Sequence, residues 1–214
     1  PDVKVYLAGN VSALPPQENI STKEAGHLRL FYLSRIAEVK NLHFALEVLH
    51  HVPSHFKVEY DIYGNLEDQA YWSKCQAIIA TLPSHVKVRY VRGLKFDEVQ
   101  ATICRYHALF LPTLNENFGH SIVESLLSGC PVIISDQTPW TDVEANNAGY
   151  ALALNNPKKF AESLAIFAAL DEDAFREKSK SATAYINGRL HTDEMRNNYK
   201  NLFNECIKNG SVHF

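Results

Sequence analysis

Short runs of β-branched and aromatic residues alternate with longer stretches of helical periodicity along most of this chain, and few folds accommodate that order. Strands are expected at 3–8, 28–34, 57–63, 86–91, 108–112, 132–135 and 150–152, with helices at 41–51, 67–82, 95–105, 121–128 and 157–170. From Asp171 to about Lys208 the pattern is helical, with a break near Gly188. Several strands lack polar alternation, as strands covered on both faces do, and such strands belong to parallel sheets with helices on either side. The fold class is therefore α/β. A single-domain, Rossmann-like, doubly wound parallel sheet with a C-terminal helical extension is expected, its ligand lying outside the carboxyl ends of the strands. Residues 9–26 are rich in Pro, Ser, Asn and Glu and read as a linker. That sets a strand and linker at 1–27 before a domain at 28–214.

Charge and cysteine content narrow the function classes. The 21 basic and 24 acidic residues give a net charge of −3, so no global basic surface invites nucleic acid or anionic lipid. A local phosphate site is compatible with that balance. Cys75, Cys104, Cys130 and Cys206 are far apart and without a CxxC spacing, which suits reduced thiols and a cytoplasmic location rather than disulfides or zinc. The longest apolar helical run, 164–170, is far shorter than a membrane span. The chain begins at Pro1 without a charged-then-apolar leader, and it reads equally as a fragment or as a protein that has lost its initiator Met.

Several common chemistries are absent. No two of the nine glycines are separated by a single residue, so the dinucleotide fingerprint is missing. There is no GxxxxGK[ST] loop, no GxSxG and no HExxH. His50, His51 and His55 are close in sequence, but Pro53 falls among them and breaks the helix that would align them on a metal. No metal site is expected.

The stretch FLPTLNENFGHSIVESLLSGCPVIISDQTPW, residues 110–140, is the most informative. A buried strand ends at Pro112, a polar loop follows, and a helix starts near His120 or Ser121. Gly119 would let a ligand approach the backbone just where that helix exposes its first N–H groups, and those amides with the helix dipole suit a phosphate. Glu116 and Glu124 bracket the turn in an E-x7-E spacing. Glu124 falls about one helical turn, ~5 Å, from the helix start, a reach suited to accepting hydrogen bonds from ribose hydroxyls. Glu116 lies on the other side, where a sugar would sit. Without further context the same two residues read as a helix-terminus acid and a solvated loop acid.

A second element adds that context. In LFYLSRIAEVKNLHFALEVL, the strand runs straight into Arg35, and Lys40 follows at the start of the next helix. Both cations fall at the carboxyl edge of the sheet, where Arg can grip a diphosphate through two N–H bonds and Lys supplies a point charge. A lysine near a helix N-terminus opposes the dipole, so its presence there calls for a neighbouring anion.

The ordered set of Ser34-Arg35, Lys40-Asn41, Glu116 to Glu124 around NFGH, and GCPVIISDQTPW resembles the C-terminal, donor-binding half of family 4 (group 1) glycosyltransferases with the GT-B fold. The resemblance covers nearly all the chain from Leu28 onward. It implies that Arg35 and Lys40 bind the diphosphate of a nucleoside-diphosphate sugar, that Glu124 takes the ribose, and that Glu116 is the catalytic-site carboxylate facing the transferred sugar. The backbone of Asn117, Phe118, Gly119, His120 and Ser121 would meet the sugar and phosphates. The strand end and loop at Val91, Arg92, Gly93 and Leu94 would hold the base through main-chain groups. The chain departs from the common pattern at Ser34, where a glycine is frequent, and at Gly64-Asn65, where Gly-x-Gly is frequent.

The resemblance further implies a retaining hexosyltransferase that needs no metal or other cofactor, and an N-terminal acceptor-binding domain of similar size as partner. On that reading the chain is one half of an enzyme and alone binds nucleotide without transferring sugar. The long C-terminal helical region resembles the part that braces the other half, with Tyr199, Leu202, Phe203 and Ile207 on its apolar face. Two alternatives remain open in the sequence: a nucleotide-sugar epimerase of the same architecture, and a non-catalytic flavodoxin-like binding module. The latter would want an acidic cluster at the strand ends, whereas the first main strand here ends in Ser34-Arg35.

Overall fold

A computed structural model describes residues 21–190 together with 200, 203 and 204. The strand pattern resolves into β1 (His27–Leu33), β2 (Lys57–Tyr63), β3 (Val86–Tyr90), β4 (Ala108–Leu111), β5 (Val132–Ser135) and β6 (Gly149–Leu152). They form one sheet in the order β3-β2-β1-β4-β5-β6. Every neighbouring pair is parallel, with Leu30 of β1 opposite Tyr60 of β2 on one side and Ala108 of β4 on the other. This is the doubly wound Rossmann order, and it differs from the flavodoxin-like order, in which the third strand lies beside the first. The chain reverses its winding between β1 and β4, so the crevice for a ligand opens at their carboxyl ends.

Burial follows position in the sheet. All residues of β4 and β5 are buried, whereas the edge strands β3 and β6 each bury only their first residue. The uninterrupted apolar runs in the sequence thus mark the centre of the sheet, where helices cover both faces. The helices are α1 (Leu42–Leu49), α2 (Gln69–Ile79), α3 (Phe96–Ile103), α4 (His120–Leu127), α5 (Pro157–Ala169) and α6 (Glu172–Leu190). Local chemistry sets their starts. The Asp68 side chain accepts from the Tyr71 N–H at the head of α2, and Asn156 accepts from the Lys159 N–H before Pro157 in α5.

Three expectations are corrected. Lys40 does not open a helix: it ends a short 3-10 turn, Glu38–Lys40, and α1 begins only at Leu42 after Asn41 in the left-handed region at φ 57°. The predicted break near Gly188 does not occur, because α6 runs through it to Leu190. One glycine costs a helix about 1 kcal/mol, and burial of Tyr185, Ile186 and Leu190 around it outweighs that. Part of the stretch read as a linker is fastened to the domain. Lys23 Nζ donates to the Ala168 and Leu170 carbonyls at 3.0 and 2.8 Å, and Arg29 Nη2 donates to the Thr22 carbonyl at 2.7 Å. The predicted strand at 3–8 lies outside the described residues, as do Tyr199, Leu202, Ile207 and Cys206. Phe203 is 60% exposed.

Cys75, Cys104 and Cys130 are buried, and among the described residues they form no disulfide. His50, His51 and His55 are exposed, and among the described residues no His/Cys/Asp/Glu group could hold a metal ion. Nor, among them, is any helix long and apolar enough to cross a membrane.

Candidate functional site

The carboxyl ends of β1 to β4 all open into one hollow of about 450 Å³. After β1 come Ser34, Arg35 and then Lys40; after β2, Gly64 and Asn65; after β3, Gly93 and Leu94; after β4, Glu116 followed by His120, Ser121 and Glu124 on α4. Each of these loops is tied to its neighbour. The Ile36 N–H donates to the Asn65 carbonyl at 2.9 Å, the Gly64 N–H to Arg92 at 3.2 Å, and the Leu114 N–H to Val39 at 2.9 Å. Asn41 Nδ2 donates to the Pro112 carbonyl at 2.9 Å, joining the start of α1 to the end of β4 across the switch point. The Glu116 N–H donates to the Gln137 carbonyl at 3.0 Å, which fixes where that loop leaves the sheet.

The charged groups are already paired within the protein. Lys40 Nζ lies 2.6 Å from Glu116 Oε2, with side chains only 12% and 17% exposed. The anion that a lysine at this place calls for is therefore Glu116 itself. Arg35 Nη1 reaches both carboxylate oxygens of Glu67, at 3.1 and 2.9 Å, but this pair is half exposed and so weakly held. Glu124 is different. Its carboxyl group has no hydrogen-bond or ionic partner among the described residues, and burial pushes it from an ordinary 4.5 up to about 7. A partly buried carboxyl without a partner is suited to accepting a pair of hydroxyls from a ligand.

At the head of α4, Gly119 is the N-cap, with φ 79° and no side-chain cap bond. The backbone N–H groups of Gly119, His120 and Ser121 make no hydrogen bond among the described residues, leaving the helix terminus free to receive an anion. A Cβ at Gly119 would lie 2.8 Å from Ile122 Cδ1 and 3.1 Å from Glu116 Cγ, so a side chain there would press on the site carboxylate. The backbone groups of Gly93 and Leu94 are likewise without partners among the described residues.

Of the residues singled out in the sequence, Arg35, Lys40, Gly93, Leu94, Glu116, His120, Ser121 and Glu124 line this one hollow. Val91 lies in an adjoining, more polar hollow that shares Leu94. Asn117 is exposed, and the Phe118 ring turns to pack on His120 and Trp140, at 4.9 and 5.9 Å between centroids. Ser34, Gly64 and Asn65, noted in the sequence only as turn positions, also line it, whereas Leu33 and Val99 of the lining, and Glu67 beside Arg35, were not picked out from the sequence. Asn65 carries a weak signal, the Gly-Asn turn that ends β2. Leu33 and Val99 read only as apolar periodic positions, and Glu67 becomes visible only when β2 is laid beside β1.

Comparison with known proteins agrees with this architecture. The family described as "Glycosyl transferases group 1" matches residues 15–187. The O-antigen chain mannosyltransferase RfbU of Salmonella typhimurium is 30% identical over 80 residues, covering 37% of this chain and 23% of that protein. Among solved structures, TarM has a TM-score of 0.74 at 20% identity, covering 95% of this chain and 40% of its own. A glycosyltransferase from Rickettsia africae scores 0.72 at 17% identity, covering 87% of this chain and 49% of its own. Anabaena HepE, solved with UDP and glucose, scores 0.69 at 16% identity, covering 84% and 48%. The chain thus spans less than half the length of each of these proteins. With a sequence match over most of its length and the same Rossmann-like sheet as the GT-B enzymes, this chain belongs to the group 1 glycosyltransferases.

Proposed function

We propose that this chain binds the donor, a nucleoside-diphosphate sugar, and supports transfer of the sugar once a second, acceptor-binding domain faces the same rim. The observation that carries the reading is the convergence, in one hollow at the switch point, of Arg35, Lys40, and, without partners among the described residues, the first amides of α4 and the Glu124 carboxyl. The binding of UDP and glucose by the structurally similar HepE supports it. Arg35 and Lys40 take the diphosphate, with the amides at 119–121, and the paired charges are exchanged rather than created. The diphosphate displaces Glu67 from Arg35 and shares Lys40 with Glu116. Glu124 accepts the ribose hydroxyls, and the main chain at Val91, Gly93 and Leu94 faces the base.

As the bond from sugar to diphosphate breaks, negative charge grows on the leaving phosphate. Cations and fixed amides meet that charge where it develops, without a divalent ion. Glu116, held by Lys40, faces the transferred sugar as the catalytic-site carboxylate, and the reaction retains anomeric configuration. The rim supports a facing domain: Val39, Leu66, Tyr90, Val91, Phe96 and Leu114 are each 39–59% exposed, and all follow or end β1 to β4 at this edge.

Titration calorimetry with UDP and GDP tests the reading. Arg35→Ala and Lys40→Ala should each weaken binding by roughly 10- to 100-fold, the loss of a charge-assisted hydrogen bond. Unchanged affinity in both variants would remove the phosphate role.

A further inference from the structure

Trp140 lies in the loop after β5, 5% exposed, and its indole Nε1–H donates to the Phe118 carbonyl at 2.5 Å. A buried indole N–H needs an acceptor, but the acceptor here is one end of the peptide that opens α4. In a trans peptide the carbonyl and the following N–H point in opposite directions, and no described peptide bond is cis. Holding the Phe118 carbonyl on the indole therefore turns the Gly119 N–H away from it. Glycine gives this peptide little resistance to rotation of its own. The indole is braced in turn: the Tyr185 ring lies 6.3 Å from it and the Arg189 guanidinium 5.8 Å. Asp142 accepts from both the Tyr185 hydroxyl and Arg189 Nη1, at 2.5 and 3.3 Å.

We infer that Trp140 is a positioning residue for the diphosphate cradle. Through the Phe118 carbonyl it sets the orientation of the Gly119 amide, and the bracing by Tyr185, Arg189 and Asp142 makes that orientation a property of α6 as well. The inference rests on the donor-binding reading above.

The test starts from the Trp72→Phe protein, which leaves Trp140 as the remaining one of two tryptophans. Replacing it biosynthetically with 3-benzothienylalanine keeps the two-ring shape and removes only the N–H; Trp140→Phe is the simpler companion. In the isostere protein the Kd for UDP or GDP should rise roughly 3- to 10-fold, while the thermal midpoint stays within about 3 °C. With 15N-glycine labelling, the Gly119 amide, one of nine glycine signals, should shift on adding nucleotide in the parent and shift less in the isostere protein. Unchanged affinity with an unchanged Gly119 response overturns the inference and leaves donor binding standing. Weaker binding that merely tracks lost thermal stability, with the Gly119 response kept, makes Trp140 a packing residue and also overturns it. A parent that binds neither nucleotide removes the donor reading, and the inference falls with it.

Discussion

Glu124 carries opposing demands from folding and binding. Its carboxyl, near 4.5 in the unfolded chain, titrates at about 7 in the fold. Below pH 4.5 it is protonated in both states and costs nothing. As pH rises from 4.5 to 7 the native state holds the proton that the unfolded chain has released, so stability falls, and above 7 the full desolvation cost is present. Glu124→Gln should therefore stabilise the protein by up to about 3 kcal/mol above pH 7 and leave it unchanged below pH 4.5. Denaturant titrations at pH 4 and pH 8 check this; an equal effect at both would mean that burial does not strain the carboxylate. If Glu124 takes the ribose as a carboxylate, donor affinity in the native protein should fall as pH drops below 7.

Two glycines show how far an element's neighbours decide what a residue does. A Cβ at Gly64 would lie 1.7 Å from the Ser34 carbonyl oxygen, so the turns after β1 and β2 meet backbone to backbone. Gly64→Ala should cost about 1–3 kcal/mol or more by forcing those turns apart, and it should carry Ser34 and Arg35 with them. At Gly188, inside α6, a Cβ meets nothing within 4 Å. Gly188→Ala should raise stability by about 0.5–1 kcal/mol through helix propensity alone. Midpoints of chemical denaturation measure both, and a fall at 188 or no change at 64 would contradict this account. Ser34 and Gly64-Asn65 stand where the wider pattern has more glycine, yet the one glycine that the close approach requires, Gly64, is present.

For the molecule as a whole, the chain covers 40% of TarM and 49% of the Rickettsia africae glycosyltransferase, and six of its exposed apolar residues, Val39, Leu66, Tyr90, Val91, Phe96 and Leu114, follow or end β1 to β4 at the edge where the hollow opens. On the donor-binding reading, the purified chain should bind a nucleoside diphosphate yet show no sugar transfer above the uncatalysed rate. A radiolabelled sugar-nucleotide assay checks this, and sustained turnover by the chain alone would refute the division of labour proposed here. The fold was legible because parallel strands buried on both faces leave unbroken apolar runs, and β5 coincides with its run residue for residue. The hollow was partly legible because strand ends in a doubly wound sheet must meet at the switch point. Lys40 and Glu116 were each recognisable in the sequence, but their pairing across 76 positions was not.

The sequence by itself determined the order and kind of the elements, the absence of several common catalytic motifs, and which side chains stand at strand ends, since these depend on local periodicity and turn chemistry. Only the tertiary structure decided the partners: Glu67 on Arg35, Glu116 on Lys40, none on the Glu124 carboxyl among the described residues, and the Trp140 indole on the Phe118 carbonyl. Such contacts join residues distant in the chain, and hydrogen bonds and ion pairs act over a few ångströms. A neighbour therefore exists only after the sheet has wound and brought its loops to one edge.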